Sequence, residues 1–214
     1  VKTTGIENIP KTGAFILAIN HPSGIADGIA LYDAVHPVRP DMTFFANRDV
    51  LRLNEKLSDL IIPVEWVEEK KSRARTRETL VATAKAFKAD KAIMLFPSGR
   101  LAFMDHGRSL TERPWINSVA VMAKKYQAPI IPAFLESRNS WLYYWLAGLH
   151  TELRDITLFH ELLNKKGQTF RLTIGPPILP HELAEDNNLA AADLRNYVVN
   201  DLSQGRGFGS SKTP

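Results

Sequence analysis

The sequence predicts an α/β protein, a single domain with a mostly parallel or mixed central sheet flanked by helices. Short apolar runs typical of buried strands alternate with segments of helical periodicity. The chain has 214 residues, 44% hydrophobic and 23% charged, which suits one full core. Since no repeat or low-complexity linker divides it, we predict one domain over residues 1–204 and a flexible tail over 205–214.

Strands and helices are predicted in alternation. The strands fall near residues 14–19, 42–46, 60–67, 91–96, 129–135 and 169–174. The helices fall at about 25–36, 75–89, 114–126 and 189–202. The strand at 129–135 contains Pro129 and Pro132, which cannot donate to a ladder, so we interpret it as an edge or rim strand of the sheet. The aromatic segment 141–146 is assigned to the core by default, with contact to the lipid–water boundary or an acyl chain as the alternative.

Composition narrows the classes of function. A net charge of +4 and a pI near 9.3 favour anionic partners such as acidic lipids, phosphates or an acidic carrier protein. The absence of cysteine excludes disulfides and a thiol nucleophile, and the six histidines show no metal-ligand spacing, so we expect no metal and no cofactor. The longest apolar run, 141–149, is far shorter than the ~20 residues of a spanning helix. No signal peptide is visible, and because Val1 is not an initiator Met the chain is interpreted as trimmed or processed.

The stretch Asn20–Gly28 carries the first functional candidates. His21 directly follows the predicted strand at 14–19, and Asp27 begins the next helix, at the edge where α/β folds collect functional groups. A carboxylate that holds the Nδ1–H of a histidine leaves Nε2 free to take a proton. The alternative is structural: Asp27 as a helix N-terminal acid and His21 as a loop histidine.

Two further strand ends carry polar groups. Arg48, just after the strand at 42–46, has donors for a substrate anion, and its alternative is a surface arginine paired with Asp49 or Glu55. In Phe96–Arg100, Gly99 lets a backbone N–H approach a ligand and Arg100 adds positive charge. Ser98 is a weak candidate for a hydrolase nucleophile, because Phe96 and Arg100 replace the glycines of a nucleophile elbow.

A basic run precedes and begins the second predicted helix. Its members are Lys70, Lys71, Arg73, Arg75 and Arg77. Such runs are usually a solvated helix face, and the functional alternative is contact with a membrane surface or a phosphate.

Four blocks, taken together and in order, resemble the glycerolipid acyltransferases, the lysophosphatidic acid acyltransferase-like enzymes, and most closely their bacterial hemolysin-like branch. Asn20–Gly28 resembles the block whose His and Asp form the catalytic pair. Phe45–Arg48 resembles the block whose basic residue binds the acceptor, and Phe96–Arg100 resembles Phe-Pro-Glu-Gly-Thr-Arg. Ala128–Pro132 resembles the fourth, an apolar strand with proline. The resemblance runs from about Gly5 to Ile178.

The sequence departs from the family pattern at two places. Five residues rather than four separate His21 from Asp27, a longer form that the hemolysin-like branch also has. Ser98 stands where most relatives carry Glu. The lost carboxylate weakens the case for a glycerol-phosphate acceptor, and an acyl-amino-acid lipid with a free hydroxyl becomes a competitor.

The resemblance implies an O-acyltransferase that moves a fatty acyl group from acyl-CoA or acyl carrier protein to the hydroxyl of a lysolipid or lyso-amino-lipid. It implies His21 as general base and Asp27 as its partner. Substrate binding would fall to Asn20, Arg48, Ser98, Gly99 and Arg100. We expect a membrane surface as partner, no nucleic acid, and a cytoplasmic protein peripheral on the inner face of the membrane. The alternatives are a serine hydrolase acting on acyl lipids through Ser98 or Ser23, and a non-catalytic lipid-binding module.

Overall fold

The computed structural model describes residues 1–52, 55–65, 72–105, 109–150 and 156–209. The strands in these ranges are β1 (Lys2–Thr4), β2 (Phe15–Ile19), β3 (Met42–Asn47), β4 (Ile61–Val64), β5 (Ala92–Leu95), β6 (Phe103–Met104), β7 (Leu110–Thr111), β8 (Ile130–Glu136) and β9 (Arg171–Ile174). The α-helices are α1 (Ile25–Val35), α2 (Arg73–Lys88), α3 (Ser118–Tyr126), α4 (Trp141–Leu149), α5 (Leu158–Asn164) and α6 (Asn187–Asn196).

Seven of these strands form one sheet in the order β1-β9-β8-β2-β5-β3-β4. The five strands from β8 to β4 are mutually parallel, whereas β9 pairs antiparallel with β8 and β1 runs parallel to β9. The strands β6 and β7 form a separate antiparallel pair. The predicted class, α/β with a mostly parallel sheet and flanking helices, is confirmed.

Strand β2 forms the centre of the fold, because all five of its residues are fully buried. Phe15, Leu17 and Ile19 face one layer, which contains α1. Ile16 and Ala18 face the other, which contains residues of α2, α3 and α6. A strand buried on both faces is apolar throughout, which is why the sequence of β2 shows no alternation.

The prediction that the proline-containing strand lies at an edge is wrong. β8 is an interior strand between β2 and β9, and Pro132 is the register partner of Ala18. On its other side Pro132 faces Gly175, just beyond the last residue of β9, and the N–H of Gly175 donates to the Pro132 carbonyl at 2.8 Å. Since the ladder with β9 has ended there, the missing N–H of Pro132 breaks no strand pairing.

Helix α4 does not have the core location assigned to its aromatic residues by default. Tyr143 is its buried residue, while Trp141 and Trp145 are 74% and 49% exposed. Their indole rings stack on each other with centroids 6.1 Å apart. The core assignment is therefore wrong for the two tryptophans.

The two ends of the chain hold further differences. β1, which was not predicted, adds an edge to the sheet next to β9. At the other end Phe208 packs edge-on against Tyr197, and Arg206 pairs with Asp201 at 2.7 Å. Residues just after 204 therefore contact the π-helical segment Tyr197–Asp201 that follows α6. Residues 210–214 of the predicted tail and residues 66–67 of the strand predicted at 60–67 lie outside the described ranges, and the domain boundary stays a prediction.

Candidate active site

His21 and Asp27 meet at the carboxyl end of β2. The His21 Nδ1 lies 2.9 Å from the Asp27 Oδ2. Asp27 is completely buried, whereas the His21 side chain keeps 19% of its surface exposed. The loop between them turns through Gly24, whose φ of +95° belongs to a region that favours glycine. The pair that the sequence predicted is therefore formed in the structure.

Asp27 accepts several hydrogen bonds besides the one from His21. The backbone N–H groups of Ser23 and Gly24 donate to its Oδ2, each at 2.8 Å, and the Ser23 hydroxyl donates to its Oδ1. The Ser23 hydroxyl in turn accepts from that of Ser137, at 3.0 Å, which ties this loop to the end of β8. A carboxylate held by this many donors is fixed before any substrate arrives.

This geometry determines which nitrogen of His21 is basic. Because the Asp27 carboxylate is an acceptor, the proton between the two side chains belongs to His21 Nδ1, and the neutral imidazole then has a free lone pair on Nε2. The imidazole also stacks on Phe96, with ring centroids 4.2 Å apart and an interplanar angle of 27°. The ring is thus fixed in orientation by a hydrogen bond at one nitrogen and by stacking on its face.

The Phe96–Arg100 segment lies beside His21, as the resemblance implies. The Ala102 N–H donates to the His21 carbonyl at 2.8 Å. Gly99 has a φ of +62°, and its N–H donates to the Phe96 carbonyl at 2.9 Å, which closes the turn. Since the Gly99 N–H is already hydrogen-bonded, an oxyanion bound here would need other donors. The Arg100 side chain is exposed.

Glu112 is a buried carboxyl that sequence reasoning missed. Its Oε2 accepts from the His21 backbone N–H at 3.1 Å and its Oε1 from the Trp115 indole at 3.2 Å. Burial raises the pKa of Glu112, although the hydrogen bonds from His21 and Trp115 and the nearby Ser98 hydroxyl oppose the shift.

The position of Ser98 bears on the departure from the family pattern. The block that Phe96–Arg100 resembles has a glutamate at this position, whereas here the buried carboxyl near the turn is that of Glu112, which directly follows β7. Nothing in the local pattern around Glu112 distinguishes it from a surface glutamate.

The two serines considered as nucleophiles are engaged elsewhere. The Ser98 hydroxyl donates to the Arg100 carbonyl at 2.9 Å, and the Ser23 hydroxyl donates to Asp27. Within the described ranges, neither hydroxyl is hydrogen-bonded to the His21 imidazole. The arrangement therefore differs from a Ser-His-Asp triad, in which the histidine contacts the serine.

Asn20 joins β2 to β8. Its amide donates to the Leu135 carbonyl at 3.0 Å and accepts the Leu135 N–H at 2.7 Å. Both functions of the amide are therefore occupied by backbone, and Asn20 is 5% exposed. These two hydrogen bonds fix the spacing between the ends of β2 and β8. A direct contact of Asn20 with substrate stays a prediction.

Arg48 lies just after β3, two strands away from β2. Its guanidinium pairs with Glu78 of α2, with the closest N–O distance at 2.6 Å, a partner that the sequence did not suggest. Of the partners that it did suggest, the Glu55 side chain lies outside the described part of the structure. The Arg48 side chain is 26% exposed. Of the basic run, Arg75 pairs with Glu65, Arg73 and Arg77 are exposed on α2, and residues 70–71 lie outside the described ranges.

Known proteins resemble the chain in sequence and in fold. A family model described as Acyltransferase matches residues 1–136. A lyso-glycine lipid O-acyltransferase of Phocaeicola vulgatus is 29% identical over 185 residues, which are 83% of this chain and 64% of that protein. A lyso-glycine lipid O-acyltransferase of Bacteroides thetaiotaomicron is 24% identical over 184 residues. The chain thus spans 64% and 65% of the lengths of these two relatives.

A solved structure shares the fold. The crystal structure of the 1-acyl-sn-glycerophosphate acyltransferase PlsC from Thermotoga maritima superposes with a TM-score of 0.57 at 19% identity. The match covers the whole chain and 72% of that protein. The site described above therefore stands on a fold known from a solved acyltransferase.

Proposed function

Since the chain belongs to the acyltransferase family, we propose that it transfers a fatty acyl group from a thioester to the hydroxyl of a lysolipid. The observation that carries this proposal is the His21–Asp27 pair, in which Asp27 holds Nδ1 at 2.9 Å and Nε2 is left as the basic atom. A histidine held in this way is suited to accept a hydroxyl proton.

The proposed reaction needs no covalent enzyme intermediate. His21 Nε2 accepts the proton of the acceptor hydroxyl while its oxygen attacks the thioester carbonyl carbon. The resulting tetrahedral intermediate breaks its C–S bond, and the imidazolium returns the proton to the departing sulfur. The products are an ester and a free thiol. Asp27 orients the ring and stabilises the imidazolium that forms in between.

The acceptor class is proposed from two supports. Both relatives are lyso-glycine lipid O-acyltransferases, and the chain has Ser98 where a glycerol-phosphate acyltransferase pattern has Glu. We therefore propose an amino-acid lipid that bears a free hydroxyl as acceptor, and acyl-CoA or acyl carrier protein as donor. Arg48 and Arg100 are proposed to bind anionic groups of the substrates. For Arg48 this requires an exchange of its partner Glu78.

A membrane surface is the proposed place of work, because the acceptor is a lipid. Within the described residues no helix has the length and apolar character to cross a bilayer. Exposed apolar side chains instead cover α4 and α5: Trp141, Trp145, Leu149, Phe159 and Leu163. Amphipathic indole rings at a surface suit the lipid–water boundary, and arginines at the start of α2 add attraction to anionic lipid.

The test is product analysis with purified protein. It is incubated with acyl-CoA or acyl carrier protein thioesters and a panel of hydroxylated acceptors, and the lipids are identified by mass spectrometry. We expect an ester on the hydroxylated amino-acid lipid and an equal amount of free thiol. Thiol release without a new ester would indicate a hydrolase, and binding of lipids without either product would indicate a non-catalytic lipid-binding module.

A further inference from the structure

A cavity of about 460 Å³ lies between the start of α4 and the end of α5. Its lining includes Arg138, Asn139, Trp141, Tyr144 and Lys165. The volume falls within the range of small-molecule sites. Of the residues named here, Trp141 and Tyr144 belong to the aromatic segment whose alternative interpretation was contact with the lipid boundary or an acyl chain, and the other three were not singled out on sequence grounds.

The cavity adjoins the candidate active site. Ser137, whose hydroxyl bonds to Ser23 in the His21–Asp27 loop, immediately precedes Arg138. The Tyr144 hydroxyl accepts the Asn139 N–H at 3.1 Å. Burial raises the pKa of Tyr144, and the Asp27 charge contributes to the rise, so the phenol is within electrostatic reach of Asp27. A ligand in the cavity would therefore lie next to the catalytic loop.

Asn139 is the feature that indicates a ligand. It is 4% exposed, and neither its Nδ2 nor its Oδ1 has a hydrogen-bond partner among the described residues. A buried amide without partners is costly to a folded protein, so an unpaired one that lines a cavity has the character of a binding group. Its amide offers an NH₂ group with two donor hydrogens and, beside it, an acceptor oxygen.

The charges around the cavity leave one cation in excess. Glu161 accepts from the Ser140 N–H at 2.8 Å and forms an ion pair with Lys165, whose Nζ lies 3.5 Å from its Oε2. Burial raises the pKa of Glu161, but the hydrogen bonds from Ser140 and the Lys165 charge outweigh it and the net shift is downward. Glu161 and Lys165 therefore neutralise each other. Arg138 is exposed and forms no ion pair within the described parts of the chain.

We propose that this cavity binds the headgroup of an acyl-amino-acid lipid acceptor, with Arg138 on its carboxylate and Asn139 on its amide. The guanidinium fork matches a planar carboxylate. The Oδ1 of Asn139 accepts the amide N–H of the headgroup, and its Nδ2 donates to the carboxylate. The inference rests on the proposed function for the identity of the acceptor, and the site adjoins, through Ser137, the loop that would act on that acceptor.

A binding experiment tests the site without relying on turnover. Isothermal titration calorimetry compares N-dodecanoylglycine, its methyl ester and dodecyl phosphate below their micellar concentrations. We expect Arg138→Gln to weaken binding of the carboxylate about 10- to 100-fold and to leave the methyl ester unaffected. Arg171→Gln, which removes another exposed arginine in a surface pair, is the matched control and keeps wild-type binding.

Asn139→Leu gives a readout that a structural role cannot produce. Because it removes unpaired buried polar atoms, we expect a melting temperature equal to or above that of the wild type, together with weaker carboxylate binding. A lower melting temperature with unchanged binding would overturn the assignment of Asn139.

The remaining outcomes separate the two proposals. Wild-type affinity of Arg138→Gln for N-dodecanoylglycine, or equal Arg138 dependence for dodecyl phosphate, would overturn the carboxylate site. If the wild type binds the carboxylate through Arg138 yet acylates no acceptor, the site stands and the proposed reaction fails. If the wild type acylates the acceptor with an Arg138-independent KM, the reaction stands and the site fails.

Discussion

The His21–Asp27 loop and the cavity at Arg138 lie side by side but differ in how their polar groups are paired. In the loop, Asp27 accepts from His21, from two backbone N–H groups and from a hydroxyl, and the His21 backbone is held by Glu112. In the cavity, both amide atoms of Asn139 lack partners among the described residues, and Arg138 has no ion pair there. The buried polar groups of the loop have hydrogen-bond partners without a ligand, whereas those of Asn139 in the cavity have none among the described residues.

The difference matches the two tasks proposed for the regions. A general base is most effective when no free energy is spent on orienting it during the reaction. Its hydrogen-bond partners must therefore be in place before the substrate binds. A binding site gains affinity when ligand atoms satisfy groups that the protein leaves unpaired. The predictions below follow from this contrast, ordered from the largest expected effect to the smallest.

Replacement of His21 by alanine should have the largest effect. We expect acyl transfer to fall by about 10⁴-fold or more, because the proton acceptor itself is removed. The fold should persist, since the ring lies at the loop edge and is partly exposed. Thiol release is the measurement, and His181→Ala, an exposed histidine on another turn, is the control. Wild-type turnover by a folded His21→Ala protein would contradict the mechanism.

Asp27→Asn should cost about 10²- to 10⁴-fold in kcat, because an amide at this position favours the wrong tautomer of His21. It also turns an NH₂ group toward N–H donors, so we expect a lower melting temperature as well. Kinetics and thermal unfolding are measured on the same preparation. An active variant with only its stability reduced would show that Asp27 serves the fold alone.

Glu112→Gln tests how much Glu112, which accepts from the His21 backbone N–H, contributes to the free energy of unfolding. The pH dependence of that free energy is the readout. The pKa of Glu112 is raised from 4.5 in the folded protein, so its contribution to the free energy of unfolding is fully present below about pH 4.5 and is lost as the pH rises through the folded pKa. Glutamine does not titrate and places an NH₂ group against N–H donors, at a cost of about 1–3 kcal/mol.

The stability advantage of the wild type over Glu112→Gln should therefore shrink as pH rises from 4.5 towards 8. Urea unfolding at several pH values measures it, and Glu185→Gln, at an exposed site, is the control. A difference that grows with pH would mean that Glu112 is ionised more easily in the folded protein than its burial indicates.

The smallest effect is expected from changes to the exposed tryptophans of α4. Replacing Trp141 and Trp145 by alanine should weaken binding to anionic vesicles by about 1–3 kcal/mol, since both rings are exposed and would be buried at the lipid boundary. The remaining binding should be sensitive to salt, because arginines near a charged surface are screened. Vesicle sedimentation is the measurement, with Leu189→Ala on α6 as control. Vesicle binding that depends neither on lipid charge nor on Trp141 and Trp145 would contradict a membrane contact at α4.

Much of the fold was predictable because local patterns carry it. The apolar run of β2 and the Gly-containing loop after it place His21 at a strand end and Asp27 in the first turn of α1, and a contact across six positions needs little beyond that turn. Pro132 was misplaced because a proline interrupts strand pairing only where its N–H would have donated to a neighbouring strand. Here β9 ends at Ile174, one residue before Gly175, which lies opposite Pro132.

The sequence by itself determined the alternation of strands and helices, the His21–Asp27 pair and the turn at Gly99, because each depends on residues close together in the chain. Tertiary structure alone decided that Glu112 lies 3.1 Å from the backbone of His21, since 91 positions separate them. It also decided that Arg48 pairs with Glu78 and that Arg138 and Asn139 line a cavity. The physical reason is that burial and pairing of a polar side chain depend on which distant elements pack beside it, and no local pattern records that.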